Sequence, residues 1–274
     1  MSLSLPASVA DVRPSYSMGF APRNGPAANP NRRKGLLGAW HPYLGPTGLT
    51  VFDQSGRHSD GTLVNGPTWV IGPHGWVLQF AYSSSQYVVA PFRHITYPLT
   101  ISVRAKLTSL SSDRALITVR NATNNDCFSL FMVSSNQVRF QVRSSGSYDN
   151  FDGVSNEVSV DEWHQIDMVC RSVSDIAWYC DLAEVASGAT TYTPANLNAV
   201  EIGARTRSSV YLDGQILSVA IYECALSSAE RAEQYADRYA LSRLRQRVYP
   251  AAGAASGLSI PMAMHHYMQM MGAA

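Results

Sequence analysis

Glycoside hydrolysis is the reaction most directly tested by this sequence, because it needs two carboxyl groups held at a fixed separation. A glycosidase that mounts its carboxylates on one strand can space them as ExDxxE, which puts the first two on one face and needs a bulge to bring the third beside them. The nearest approach is Glu157, Asp161 and Glu162, but Ser159 stands where the middle aspartate would fall. Asp152, Glu157, Asp161 and Glu201 could meet only if folding drew them together, and no spacing asks for it. The chain also carries no GxSxG, HExxH, GxGxxG or P-loop pattern. No catalytic residue is expected, and the chain reads as a non-enzyme.

Aromatic side chains offer a different chemistry, since a sugar ring can lie against an indole or phenol. Trp40 and Trp178 sit inside strand-like runs and read as core, which leaves Trp69 and Trp76 as the more loop-like pair. Ser144 to Asn156 reads as a long polar loop with two aromatics, Tyr148 and Phe151. Trp76 and Tyr148 are therefore the candidate glycan-binding residues. His265 and His266 do not suggest a metal site, because neighbours on an extended strand point to opposite sides. Cys127, Cys170, Cys180 and Cys224 form no CxxC pair and no Cys/His cluster, which argues against zinc. Cys170 and Cys180 flank a hairpin turn and could face each other, but buried free thiols in a reducing compartment are favoured.

The elements that must position these residues follow from composition. A chain of 274 residues, 46% hydrophobic and 15% charged, can bury one large core with accessories. Twenty-one basic and twenty acidic residues give a net charge of +1, so no strong field recommends a specific nucleic acid. The first ten residues lack a basic n-region and are interrupted by Pro6, and no apolar stretch approaches bilayer length. A soluble protein with no secretion signal and no membrane partner is expected.

Residues 1–34 hold Pro6, Pro14, Pro22, Pro26 and Pro30 with no apolar period, the composition of an extended arm. Arg32, Arg33 and Lys34 close it with a basic run. From residue 35 to 226, short β-type segments follow one another between turn residues. Ile101, Val103, Ala105 and Leu107 alternate with polar neighbours, as do Val138, Phe140 and Val142 with Arg139, Gln141 and Arg143. Many strands with no helix between them predict an antiparallel sandwich. One helix is predicted over 227–249: Ser227 and Glu230 make a capping box, Ala232, Tyr235, Ala236 and Tyr239 share a face, and Pro250 stops it. The segment 250–274 reads as an extended tail whose apolar end needs a docking surface.

Three stretches resemble the laminin G-like branch of the concanavalin A-like lectin/glucanase superfamily. They are Gly35–Trp40 with Asp53-Gln54-Ser55-Gly56 and Gly61-Thr62-Leu63; Val77–Phe80 with Gln86–Val89; and Glu162-Trp163-His164 with Tyr211–Ile216 and Ala225–Glu230. The resemblance implies an all-β, concanavalin A-like antiparallel β-sandwich (jelly roll) with one C-terminal helix and extended N- and C-terminal arms. It makes Trp163 a packed residue. It also makes Asp53 and Asp213 candidate calcium ligands, although the acidic residue usual after Gly214 is replaced by Gln215. No cofactor is required on this reading and calcium is the one candidate; Asp53 also serves as a turn-former with Ser55 and Gly56.

A narrower resemblance lies in Gly35–Trp40 with Leu44–Thr50 and in Tyr235–Leu241 with Arg243 to Tyr249, which are similar to laminin G-type proteins of tailed-phage structural gene clusters. It implies a virion component made in the host cytoplasm, a capsid decoration or minor structural protein held by its arms. Its partners would be capsid or tail subunits and copies of itself, through Arg32, Arg33, Lys34, Met262, Met264, His265, Tyr267 and Met268. The alternative is a lectin-like adhesin that binds polysaccharide, and the two roles can coexist. A glycoside hydrolase ranks last.

Overall fold

Period-two alternation dominates the middle of the chain, and the backbone follows it. The computed structural model describes residues 34–42, 45–72, 75–93, 97–109, 112–133, 136–154, 157–205 and 209–237. The strands in chain order are β1 (Leu36–Trp40), β2 (Thr50–Val51), β3 (Gly61–Val64), β4 (Thr68–Gly72), β5 (Gly75–Phe80), β6 (Tyr87–Pro91), β7 (Leu99–Leu107), β8 (Arg114–Arg120) and β9 (Cys127–Val133). They continue with β10 (Gln137–Ser144), β11 (Ser147–Asp152), β12 (Trp163–Ser172), β13 (Asp175–Cys180), β14 (Ala183–Gly188), β15 (Ala199–Ile202), β16 (Ala204–Arg205), β17 (Val210–Tyr211) and β18 (Gly214–Tyr222). One helix, α1 (Ser228–Ala236), follows.

Two antiparallel sheets of eight strands stack on each other. The first runs β14-β13-β12-β7-β18-β5-β4, with β1 also paired to β18, and the second runs β11-β10-β9-β8-β15-β6-β3-β2. β18 divides one edge between two partners: Gly214–Ile216 pair with β5 and Val219–Tyr222 with β1. A bulge between Ile216 and Ser218 falls at the change of partner. Gly214 is needed there because a Cβ would lie 2.2 Å from the Lys106 carbonyl oxygen.

The inward side chains form one continuous core. Leu99, Ile101, Val103, Ala105 and Leu107 of β7 and Ile166, Met168 and Cys170 of β12 meet Phe128, Leu130 and Met132 of β9 and Val138, Phe140 and Val142 of β10. Aromatic rings continue the packing: Phe128, Phe140, Phe151 and Trp178 succeed one another at centroid separations of 6.2, 5.9 and 5.9 Å. Such pairs add roughly 0.5–1.5 kcal/mol each beyond area burial. All four cysteines are free, and Cys170 and Cys180 pair with Ile176 and Ile166 rather than with each other.

Three expectations change on contact with the backbone. Ser144 to Asn156 contains strand β11 rather than being wholly loop: its register runs residue for residue along β10, from Ser144 opposite Ser147 to Arg139 opposite Asp152. As the edge strand of its sheet it tolerates polar side chains on both faces. Trp69 and Trp76 are not loop residues either, since both lie in the β4–β5 hairpin. The third concerns α1. Its capping box at Ser227 and Glu230 is present, but the buried residue is Arg231, while Ala236 is exposed. The sheet face beneath it carries Ser102, Gln165 and Asp167 beside Tyr179, so a cation fits there better than an alanine face.

The helix ends at Ala236, with Asp237 extended, short of the span predicted to residue 249. Lys34 is exposed, and its carbonyl accepts from the Cys224 thiol at 3.7 Å. Arg32, Arg33, Met262, Met264, His265, Tyr267 and Met268 lie outside the described residues, as does the whole of the second compact unit, Arg245–Ala274.

Candidate functional site

The face of the second sheet that points away from the core is not an ordinary wet surface. Alternation on β10 sends Val138, Phe140 and Val142 inward and Arg139, Gln141 and Arg143 outward. Cross-strand register then builds three outward rungs: Phe131–Arg139–Asp152, Ser129–Gln141–Asn150 and Cys127–Arg143–Tyr148. Thr118 of β8 and Glu201 of β15 extend the middle rung. Along this polar row Ser129 is 1% exposed, Gln141 2%, Thr118 3% and Glu201 0%. The β16–β17 hairpin contributes to that cover, because Val210 packs on Ala115, Phe131 and Val133.

The same hairpin delivers Arg205. Its Nη2 donates to Gln141 Oε1 at 2.7 Å, and its guanidinium lies 4.8 Å from the centroid of Phe131. Gln141 Nε2 in turn donates to Asn150 Oδ1 at 2.6 Å. Two of the face's arginines are neutralised: Arg139 forms a two-pronged pair with Asp152, and Arg120 Nε meets Glu201 Oε1 at 2.5 Å. The other two are not. Arg143 and Arg205 make no salt bridge among the described residues, and Arg143 Nε has no hydrogen-bond partner although the residue is only 8% exposed. Arg143 rests instead on Tyr148, 4.8 Å from the ring centroid. Burial above all draws the Arg205 guanidinium below its ordinary value, and the positive charge of Arg143 acts in the same direction.

The sequence-derived sites fare unevenly. Tyr148 is on this face and half exposed. Trp76 is half-buried on the other sheet, its indole nitrogen 2.8 Å from where a Cβ on Gly45 would stand. Asp53 is filled as a turn-former: Oδ1 accepts from the Ala39 and Ser55 amides at 2.9 Å, and Oδ2 from Ser55 Oγ at 2.6 Å and the Ser59 amide at 3.1 Å. A calcium ion needs six to eight free oxygens, so a carboxylate spent in this way does not fit one. Asp213 joins no group of three metal-ligating side chains among the described residues.

The carboxylates weighed for hydrolysis are also committed elsewhere. Glu157 accepts from the Val138 and Val154 amides, Asp152 and Glu201 hold arginines, and Asp161 lies 3.8 Å from Lys106 Nζ. The sequence reading missed a cluster at the start of β12. His164 Nδ1 is 2.7 Å from Asp181 Oδ2, and its Nε2 is 3.0 Å from Ser159 Oγ, the connectivity of a hydrolytic triad. Ser159 Oγ, however, donates to Glu162 Oε2 at 2.5 Å. That carboxylate takes the proton a general base would remove, and it would repel the oxyanion an acyl transfer must develop. Cys180 completes a three-ligand group with His164 and Asp181, but burial pushes its thiol up to about 12, and His164 Nδ1 is already engaged. The cluster ties the β13–β14 turn to β12.

Comparison with known proteins agrees with this architecture. The binding domain of Paraclostridial mosquitocidal protein 1 superposes with a TM-score of 0.60 at 12% identity, over 74% of this chain and 52% of that one. Botulinum neurotoxin type C, in a structure described by its dependence on two ganglioside molecules for cell entry, gives 0.58 at 14%, over 75% and 51%. Domain 4 of AbnA, a GH43 extracellular arabinanase from Geobacillus stearothermophilus in complex with arabinotriose, gives 0.55 at 15%, over 72% and 97%. The chain spans about half the length of the toxin chains, and at these identities the likeness is one of fold. No curated protein sequence matches. The family described as the concanavalin A-like lectin/glucanases superfamily matches residues 82–230, more than half of the chain. With two stacked antiparallel sheets and that match, the chain belongs to the concanavalin A-like lectin/glucanases superfamily.

Proposed function

We propose that this chain is a non-enzymatic, lectin-like binding protein that takes a saccharide on the outer face of its second sheet and is carried on a tailed-phage particle as a decoration or minor structural protein. One observation carries the binding half: at the β10–β11 edge of that face the exposed Tyr148 and Asn150 stand beside Arg143 and Arg205, guanidinium groups with no carboxylate partner among the described residues. Buried donors without partners are costly, about 1–3 kcal/mol each, and a ligand that accepts from them recovers the cost. The fold's likeness to toxin binding domains, and to a domain crystallised with arabinotriose, supports this reading. The carboxylates already engaged in turns and ion pairs support the non-enzymatic half.

The particle half rests on the sequence phrases Leu44–Thr50 and Tyr235–Leu241, and on the compositions of 1–34 and 250–274. Binding is tested by a glycan array with the full chain. We expect a selective signal for a small set of saccharides; a flat array defeats the lectin reading and leaves a purely structural role.

A further inference from the structure

We infer that the outer face of the second sheet is a site for an acidic saccharide, with Arg143 and Arg205 as its anion-binding pair. The inference deepens the saccharide-binding reading above and rests on it. Of the arginines on this face, Arg139 and Arg120 have carboxylate partners, whereas Arg143 and Arg205 have none among the described residues. Arg143 and Arg205 both flank Gln141, which Arg205 hydrogen-bonds at 2.7 Å and from which Arg143 stands two residues on along the same outward face, and Arg143 keeps its Nε without an acceptor while more than nine-tenths of the residue is buried.

Two guanidinium groups without carboxylate partners on one partly dry face are unfavourable unless an anion joins them. Rings under the guanidinium groups offset only part of that cost. A guanidinium offers its donors as a flat fork, which matches a ring carboxylate in a two-pronged pair and accepts a sulfate with less selectivity. Tyr148, half exposed against Arg143, gives the sugar ring a surface to lie on, and Asn150 is exposed beside it for hydroxyl contacts. A neutral sugar would use the ring and the amide and leave the two cations unmatched.

The test is calorimetric titration of the full chain with three probes of equal length: oligogalacturonate, a sulfated galactose oligomer and the neutral galactose oligomer. We expect the galacturonate to bind at least about tenfold more tightly than the neutral probe, with the margin shrinking as salt is raised. Arg143→Gln and Arg205→Gln should each remove that margin between charged and neutral probes, with the melting temperature unchanged or higher. Arg171→Gln, on the first sheet, should change nothing. Tighter binding of the sulfated probe than of galacturonate, lost in the same two variants, still supports an anion pair and assigns it to sulfate. Equal binding of charged and neutral probes, or retention of the margin in both variants, overturns the inference and spares the lectin reading. Failure of all three probes, with a flat array, overturns both.

Discussion

His164 shows how much a single side chain fixes here. The hydrogen bond to Asp181 holds its imidazole above its ordinary value against the opposing effect of burial. Burial raises the Asp181 carboxyl, but the hydrogen bonds from His164 and the Gln165 amide outweigh it and leave that group low. Both shifts describe one ion pair and are not summed. A histidine raised in the folded state holds more protons there than when unfolded, so its contribution is complete below about pH 6.5 and is lost as pH rises through the folded value. The aspartate's part is lost only when pH falls through its own depressed value. Chemical denaturation from pH 5 to 9 should therefore show stability falling as pH rises, a fall that His164→Gln reduces. An unchanged slope would detach the pair from stability. The sequence marked His164 only as part of a family phrase, because its partners Ser159 and Asp181 stand at unequal spacings on two different loops. Arg143 was equally hidden: in the pattern Arg139-Gln141-Arg143 it reads as a wet-face residue, yet it is buried and rests on the Tyr148 ring.

Helix α1 is held differently from what its sequence suggests. Spacing of three and four had pointed to alanines and tyrosines, yet the guanidinium of Arg231 lies 3.4 Å from the Tyr179 ring centroid and attracts the buried Asp167 carboxylate. Arg104 adds a hydrogen bond to the Tyr235 carbonyl at 3.1 Å. Replacing Arg231 by Ala should lower the urea midpoint, since both the Tyr179 ring contact and the positive charge near Asp167 are lost. Arg231→Lys should recover part of this; equal loss in both variants would point to packing instead of charge. The long strands were legible because one face is apolar throughout, as in β7 and β10. β11 was not: it carries Asp149 and Phe151 inward and Tyr148, Asn150 and Asp152 outward, and the alternation of apolar with polar that marks a strand is lost at a sheet edge. The β4–β5 hairpin escaped for a related reason, with Trp69 and Trp76 both only half-buried.

For the whole molecule, the core that locks the two sheets together lies within residues 36–226, and this has a consequence for the ends of the chain. Removing residues 1–33 or residues 250–274 should leave the circular dichroism spectrum and cooperative melting of the sandwich essentially unchanged. The same truncations should abolish incorporation into phage particles, measured by immunoblotting purified virions; normal incorporation of both would defeat the particle reading. The pairing of β1 with β18 bears on synthesis as well. Leu36 must wait for Tyr222 and Trp40 for Val219, so the strand made first is among the last to find its neighbour. A ribosome releasing this polypeptide exposes an apolar β1 until almost the entire sandwich has emerged. Closure of β1 onto β18 is therefore a late event in forming the first sheet, and yield in a foreign host should depend on whatever shields that strand in the interval.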